Sequence, residues 1–194
     1  MKIRETQKAF TLIELMVTLA VAAILATVAL PSLRYSIVNN RITSKTNDFV
    51  RALNLAKNEA VTNNMNVTIQ PLEFDASGKT IVAENPANNN EWGQGWMIWI
   101  DANRNEAGSS GNDGEDVYRY FEFPGDSIVI NAELQQPPIQ PSSYPIIFHS
   151  RGEHQRLAFS ICVEDRRATD PPGRQLEITR TGNVVLTNTD YQCP

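Results

Sequence analysis

The sequence predicts an α+β fold, with one long N-terminal α-helix packed on an antiparallel β-sheet. Three observations lead to this fold class. An apolar run extends from Phe10 to Leu30, a helical pattern of apolar residues continues to about Thr62, and short β-branched and aromatic segments follow between turn residues. A chain of 194 residues is long enough for one globular domain and this helical extension.

The apolar run predicts a membrane-spanning helix over residues 10–30. A helix of this length measures about 31 Å, which matches the hydrocarbon thickness of a bilayer. Lys2, Arg4 and Lys8 precede the run, and basic residues stay on the cytoplasmic side of a membrane. We therefore expect a single pass through the inner membrane, a cytoplasmic N-terminus and a periplasmic globular domain over residues 31–194.

One residue, Glu14, does not fit a plain membrane anchor. A carboxylate in a spanning helix costs about 2–3 kcal/mol at the centre and less near an edge, and such residues are usually paired and functional. The segment that contains it reads Lys8-Ala9-Phe10-Thr11-Leu12-Ile13-Glu14-Leu15. This segment resembles the N-terminal signal of type IV prepilins and of type II secretion pseudopilins.

The resemblance implies a role for each of several residues. Residues 1–9 are a leader that prepilin peptidase removes by cutting between Ala9 and Phe10, after which Phe10 is N-methylated. Glu14 meets the N-terminal amine of a neighbouring subunit during assembly. Family members normally have Gly where this chain has Ala9. Pro31 matches their helix-perturbing proline and predicts a kink, because proline lacks an amide hydrogen.

The chain after Leu30 is predicted to form an amphipathic helix followed by strands. Apolar residues recur at three- and four-residue steps over about residues 31–62, and Asn63-Asn64 is expected to end the helix. Nine short segments then have strand composition. They are Val67–Gln70, Thr80–Ala83, Trp96–Ile100, Val117–Phe123, Ser127–Asn131, Ile146–His149, Leu157–Val163, Gln175–Thr179 and Asn183–Leu186.

Three segments of the soluble part narrow the resemblance. Trp92–Asn105, Ile161-Cys162 and Gly173–Gly182, in this order after a long helix, are similar to the GspH/FimT class of minor pilins and minor pseudopilins. The resemblance implies a minor type IV pilin that helps to initiate or cap a pilus together with other minor pilins and the major pilin. A minor pseudopilin of a type II secretion system is one alternative, and a DNA-binding minor pilin at the pilus tip is another.

The charge of the chain disfavours DNA binding. The chain has 17 Lys and Arg against 22 Asp and Glu, a net charge of −5, whereas phosphate binding depends on uncompensated basic side chains. DNA-uptake members of the class carry Gly-Arg-x-Arg where this chain has Gly182-Asn183-Val184-Val185. Acidic residues are interleaved with the remaining candidates for DNA contact, which favours a mixed, solvated surface. These candidates are Arg166, Arg167, Arg174 and Arg180.

The two cysteines, Cys162 and Cys193, lie far from the N-terminus. In an oxidising periplasm they are predicted to form a disulfide that ties the C-terminal tail to the strand Leu157–Val163. Two separate thiols are the alternative.

No residue set predicts catalysis, so we expect neither an enzyme nor a cofactor nor a small-molecule substrate. His149 and His154 have no cysteine or carboxylate at metal-binding spacing. Asp101–Asn105 alternates oxygen ligands as a calcium loop does, but Glu106 replaces the turn glycine, so no metal is predicted. Three tryptophans are expected in the core or in a subunit contact: Trp92, Trp96 and Trp99.

The N-terminal signal gives a test by mass. Prepilin peptidase should shorten the chain from 194 to 185 residues by removing the first nine, and the new N-terminal Phe10 should carry a methyl group. Mass spectrometry of protein from sheared filaments measures both changes. Filament protein that retains residues 1–9 would contradict the assignment.

Overall fold

The structure is a computed structural model, and the residues that it describes contain one long helix and nine strands. The described residues are 10–74, 80–82, 92–101, 117–123, 127–133, 146–154, 159–165 and 173–191. The chain divides into two compact units, Met1–Ile37 and Val38–Pro194. The second unit begins inside the helix, after the predicted domain start at Pro31. The fold does not test the cleavage of the predicted leader, residues 1–9, or the membrane insertion of residues 10–30. Both stay predictions.

One helix, α1, extends over Leu12–Asn63, as the joined apolar and amphipathic patterns predict. It ends at the predicted place. Asn64 has a positive φ of 53°, and the Met65 N–H donates to the Ala60 carbonyl at 3.3 Å. This hydrogen bond across a left-handed residue is the Schellman C-cap, and asparagine tolerates the left-handed conformation better than most residues.

Nine strands follow, one at each predicted position. They are β1 Asn66–Phe74, β2 Thr80–Val82, β3 Gly95–Asp101, β4 Val117–Glu122, β5 Ile128–Glu133, β6 Ile146–Phe148, β7 Phe159–Asp165, β8 Gly173–Ile178 and β9 Val184–Tyr191. The strands β1 and β9 run several residues further than predicted. The reason for β1 is that it pairs with β3, β6 and β2 in turn, and these partners keep its backbone extended to Phe74.

The strands form two antiparallel sheets, where the sequence predicted one. Sheet I has the order β2-β1-β3-β4, with β6 also paired to β1, and sheet II has the order β5-β7-β8-β9. Every strand offers the same backbone donors and acceptors, so strand composition does not specify which strands pair. Packing between residues far apart in the chain decides which strands join each of the two sheets.

The core lies where one face of α1 meets both sheets. Phe49 packs edge-on against Trp92 and Trp96, with ring centroids 5.4 and 4.9 Å apart. The buried helix residues of this core are Ile42, Phe49, Ala52, Leu53, Ala56 and Ala60. Sheet II contributes Ile128, Ile130, Ile161, Val163, Leu176 and Ile178. The amphipathic stripe predicted for residues 31–62 is therefore buried from Ile42 onward.

The other face of sheet I has a small apolar cluster of its own. Side chains alternate along a strand, so Trp96 and Ile98 of β3 join the main core while Met97 and Trp99 point away from it. Leu72 completes this second cluster, and the Trp99 indole N–H donates to the Gln70 side-chain oxygen at 3.3 Å. All three tryptophans are thus buried in the fold.

Replacement of Phe49 by alanine should reveal how much the helix–sheet contact contributes. Phe49→Ala leaves a cavity beside Trp92 and Trp96 and should lower the free energy of unfolding by about 3–5 kcal/mol. The matched control is Asn47→Ala, on the exposed face of the same helix, which should change it by less than about 0.5 kcal/mol. Denaturant unfolding of the full chain in detergent micelles, followed by tryptophan fluorescence, measures both. Equal effects of the two changes would contradict the packing described.

Candidate functional site

The first feature of the candidate site is the apolar surface of α1 between Phe10 and Ile37. Every described side chain in this stretch is exposed, and Phe10 is exposed to 86%. Soluble monomers rarely expose apolar patches larger than a few hundred Å². Removal of apolar surface from water is worth about 25 cal/mol per Å², so this surface is suited to lipid or to other helices.

Glu14 and Thr11 form a reciprocal cap at the start of α1. The Thr11 N–H and hydroxyl both donate to Glu14 Oε2, at 3.0 and 2.9 Å. The Glu14 N–H donates back to Thr11 Oγ1 at 3.3 Å. Thr-x-x-Glu is the sequence of a capping box, in which each side chain satisfies a backbone N–H that the helix leaves unpaired. The carboxylate therefore has partners within its own helix.

Two further hydroxyls of the apolar stretch, those of Thr18 and Thr27, are also satisfied locally. Thr18 Oγ1 donates to the Leu15 carbonyl at 2.9 Å, and Thr27 Oγ1 donates to the Ile24 carbonyl at 2.6 Å. Such bonds to the preceding turn lower the cost of placing a hydroxyl in hydrocarbon. These polar side chains are therefore compatible with an apolar environment.

Pro31 lies within the helix, near a bend. Among the described residues, no single helix is long and apolar enough to count as a membrane span. The pair Leu12–Thr27 and Ser32–Asn63, bent by 43° at the break between them, meets the same criterion jointly. Pro31 lies in that break, but its role as the cause of the kink stays a prediction. Of the two cleavage residues, Phe10 is described and Ala9 lies outside the described residues.

The structure places Cys162 in a disulfide bond. The side chain is fully buried, in β7, between Asn131 of β5 and Gln175 of β8. Its predicted partner, Cys193, lies outside the described residues, so the pairing of these two cysteines stays a prediction.

Two of the four candidate arginines for DNA, Arg174 and Arg180, lie among the described residues, and Arg180 is exposed. Arg166 and Arg167 lie outside them. Arg174 Nη2 donates to Asn39 Oδ1 at 2.6 Å and to Thr43 Oγ1 at 3.3 Å, so this guanidinium is bound to helix α1. Arg174 is therefore partly buried between β8 and α1, and a DNA contact by Arg174 stays a prediction.

The turn after β8 is also bound to the helix. Lys57 Nζ donates to the Thr181 carbonyl at 3.0 Å and to Asn183 Oδ1 at 2.9 Å. Gly182 has φ of +71°, and a Cβ added there would collide with the Gly152 carbonyl oxygen. Asn183 stands where DNA-uptake members of the class carry their first arginine, and here it holds the turn against α1.

Metal binding has no support in the described part of the chain. There, no group of three or more His, Cys, Asp and Glu side chains is arranged to hold a metal ion. His149 Nδ1 lies 3.1 Å from Asn66 Oδ1, and His154 is buried edge-on against Phe148. Both histidines thus have positions within the fold.

Comparison with known families decides the assignment of the chain. The profile of the family described as type II transport protein GspH matches residues 45–182, more than half of the chain. The chain belongs to the GspH family. The profile described as the prokaryotic N-terminal methylation motif matches residues 4–30, which include the Thr11–Glu14 cap. The search of curated proteins finds no match.

The solved structure of a minor pilin shares the fold of this GspH-family chain. The type IV minor pilin FimU of Pseudomonas aeruginosa is 18% identical, with a TM-score of 0.53 over 78% of this chain and 92% of FimU. The minor pseudopilin EpsH from the type 2 secretion system of Vibrio cholerae is 11% identical, with a TM-score of 0.44 over 75% of this chain and 95% of EpsH. The fold is the pilin fold, and family and fold are those of structural pilins rather than enzymes.

Sequence reasoning identified Glu14 but missed its partner, Thr11. The signal was present, because a threonine three residues before a glutamate at the start of an apolar run is the capping-box pattern. It also missed Arg41, Ser127 and Asp165, which form a polar cluster between α1 and sheet II. No local pattern marks these residues, which lie up to 124 positions apart.

The cap can be tested at Thr11. Thr11→Val removes the hydroxyl and should weaken the helix start by about 1 kcal/mol, because the Glu14 N–H loses its acceptor. Amide hydrogen exchange at Glu14 and Leu15, measured by NMR on the full chain in micelles, should become about fivefold faster. Thr11→Ser keeps the hydroxyl and serves as the control. Unchanged exchange in Thr11→Val would show that the hydroxyl does not cap α1.

Proposed function

We propose that this GspH-family chain is a minor pilin that enters a type IV pilus through the first part of α1. The observation that carries the proposal is the capped apolar stretch from Phe10 to Ile37, exposed in the lone chain and preceding a pilin domain. Its apolar side chains favour the inner membrane before assembly and the helices of other subunits afterwards. Prepilin peptidase, the other minor pilins and the major pilin are the partners that this function requires.

Glu14 is the residue proposed to guide assembly. Both hydrogen bonds from Thr11 end on Oε2, so the terminal amine of a neighbouring subunit can approach Oε1 while the cap persists. A carboxylate in apolar surroundings is stabilised strongly by an opposite charge, whereas misplacement of the amine leaves two unpaired charges. The charge pair therefore selects the axial position of the incoming subunit more than it adds stability.

A minor pseudopilin of a type II secretion system is the second candidate. The family description favours it, because the matching profile is that of a type II transport protein. Both candidates need the same N-terminal helix and the same processing. The major subunit that co-assembles with the chain, a pilin or a pseudopilin, distinguishes them.

A DNA-binding function is not proposed. Arg174 is bound to Asn39 and Thr43, and Asn183 is bound to Lys57. The Arg174 guanidinium is thus engaged within the domain and Asn183 carries no charge, so neither position favours phosphate binding.

Substitutions at Glu14 test the assembly role. Glu14→Gln keeps an oxygen that can accept from Thr11 but removes the charge, so membrane levels should stay normal while incorporation into sheared filaments falls at least about tenfold. Glu59→Gln is the matched control, because Glu59 lies in the soluble half of α1 and accepts from Asn63. Immunoblots of membranes and filaments measure both.

The outcomes of this experiment separate two explanations. If Glu14→Gln assembles normally and Glu14→Leu does not, the cap matters and the charge does not, which contradicts the proposed pairing. If the unsubstituted chain is absent from pili and from pseudopili, the proposed function itself is wrong.

A further inference from the structure

The polar cluster between α1 and sheet II lies just after the second compact unit begins at Val38. Arg41 Nη1 donates to Asp165 Oδ2 at 3.0 Å, and Arg41 Nη2 donates to Ser127 Oγ at 3.1 Å. The Ser127 hydroxyl donates in turn to Asp165 Oδ1 at 2.7 Å. Both oxygens of the carboxylate are therefore engaged.

A second arginine reaches in the opposite direction, from the sheet to the helix. Arg174, in β8, donates to Asn39 Oδ1 at 2.6 Å and to Thr43 Oγ1 at 3.3 Å. Asn39 and Thr43 are four residues apart and so lie on the same face of α1. The Thr43 hydroxyl also donates to the Asn39 carbonyl at 2.7 Å, which ties these two helix residues to each other.

All three sheet residues lie at one end of sheet II. Ser127 immediately precedes β5, Asp165 ends β7 and Arg174 is near the start of β8. The antiparallel pairing places Ile128 opposite Asp165 and Val163 opposite Arg174. One end of the sheet thus contacts one stretch of helix, residues 39–43, through two guanidinium groups.

The chemistry of this cluster differs from that of the rest of the helix–sheet contact. From Phe49 to Ala60 the buried face of α1 is apolar, and apolar burial has no preferred direction. Asp165 is fully buried, and the Arg41 side chain is 38% exposed. A buried ion pair is often no more stabilising than apolar residues of the same volume, but planar guanidinium contacts demand particular atoms at particular positions.

We propose that Arg41, Asp165, Ser127 and Arg174 form a register lock, which fixes the axial and rotational position of helix residues 39–43 on sheet II. Without it, Ile42 is the one residue of this stretch that stays fully buried by apolar packing, so the first docked turn shifts or detaches more readily. The proposal rests on the proposed function, since residues 39–43 directly follow the segment held in the filament. Any displacement between filament and globular domain is transmitted along this stretch of backbone.

Three variants of the full chain test the lock. Arg41→Met combined with Asp165→Leu removes both charges of this ion pair together, and Arg174→Met removes the second guanidinium group. Arg51→Met is the matched control, because Arg51 is an arginine of the same helix, 79% exposed, whose ion pair with Asp48 is at the surface. Each variant is compared with the unsubstituted chain in detergent micelles and in cells.

Three measurements are made on each variant: thermal unfolding, amide hydrogen exchange, and incorporation into sheared filaments relative to the level in the membrane. The double variant and Arg174→Met should unfold within a few degrees of the unsubstituted chain. Exchange should become about tenfold faster over residues 39–46 and stay unchanged over residues 49–60. Incorporation should fall about tenfold. Arg51→Met should change none of the three.

Normal incorporation of a variant whose exchange has risen would overturn the proposal, and so would unchanged exchange over residues 39–46. If the double variant loses its fold, the test is made with Arg174→Met alone. This variant should still fold, because the partners of Arg174, Asn39 and Thr43, are only partly buried. Absence of the unsubstituted chain from filaments is a separate result, and it contradicts the proposed function rather than the lock alone.

Discussion

The burial of one face of α1 against the two sheets is the interaction on which the rest of this protein depends. Phe49, Leu53 and the alanines that follow are covered by aromatic side chains of sheet I and by the aliphatic inner face of sheet II. Apolar burial of this kind is the main favourable term in folding, and neither sheet has another helix among the described residues to cover it. The same helix therefore covers the core and also contains Glu14, the residue proposed to guide assembly.

The two halves of α1 share one helical backbone but differ in the side chains that they expose. Over residues 10–30 the described side chains are exposed and apolar except for three threonines and Glu14, which form local hydrogen bonds. The second half confines apolar residues to one stripe and leaves amide and charged side chains on the other face. A polar group that is satisfied locally tolerates transfer from lipid to protein, which is the change of environment that a filament subunit undergoes.

Polar contacts determine how α1 is positioned on the sheets, while apolar contacts provide most of the stability of the fold. Lys57 holds the turn after β8, and Arg41 and Arg174 hold the helix to one end of sheet II. Each of these basic side chains donates hydrogen bonds to acceptors within the domain. The use of these basic residues for contacts within the fold is consistent with the negative net charge of the chain.

The sequence by itself determined the fold class, the full extent of α1, the positions of the nine described strands and the place of Glu14 in the apolar segment. Each of these depends on local patterns: an apolar run, a helical stripe, strand composition between turns, and a charged residue in an apolar segment. Thr11 was predictable on the same basis. Only the tertiary structure decided the division into two sheets, the second cluster behind Trp99, the binding of Arg174 to the helix and the pairing of Arg41 with Asp165. These features join residues far apart in the chain, and a local pattern does not encode which distant backbone or side chain becomes the partner.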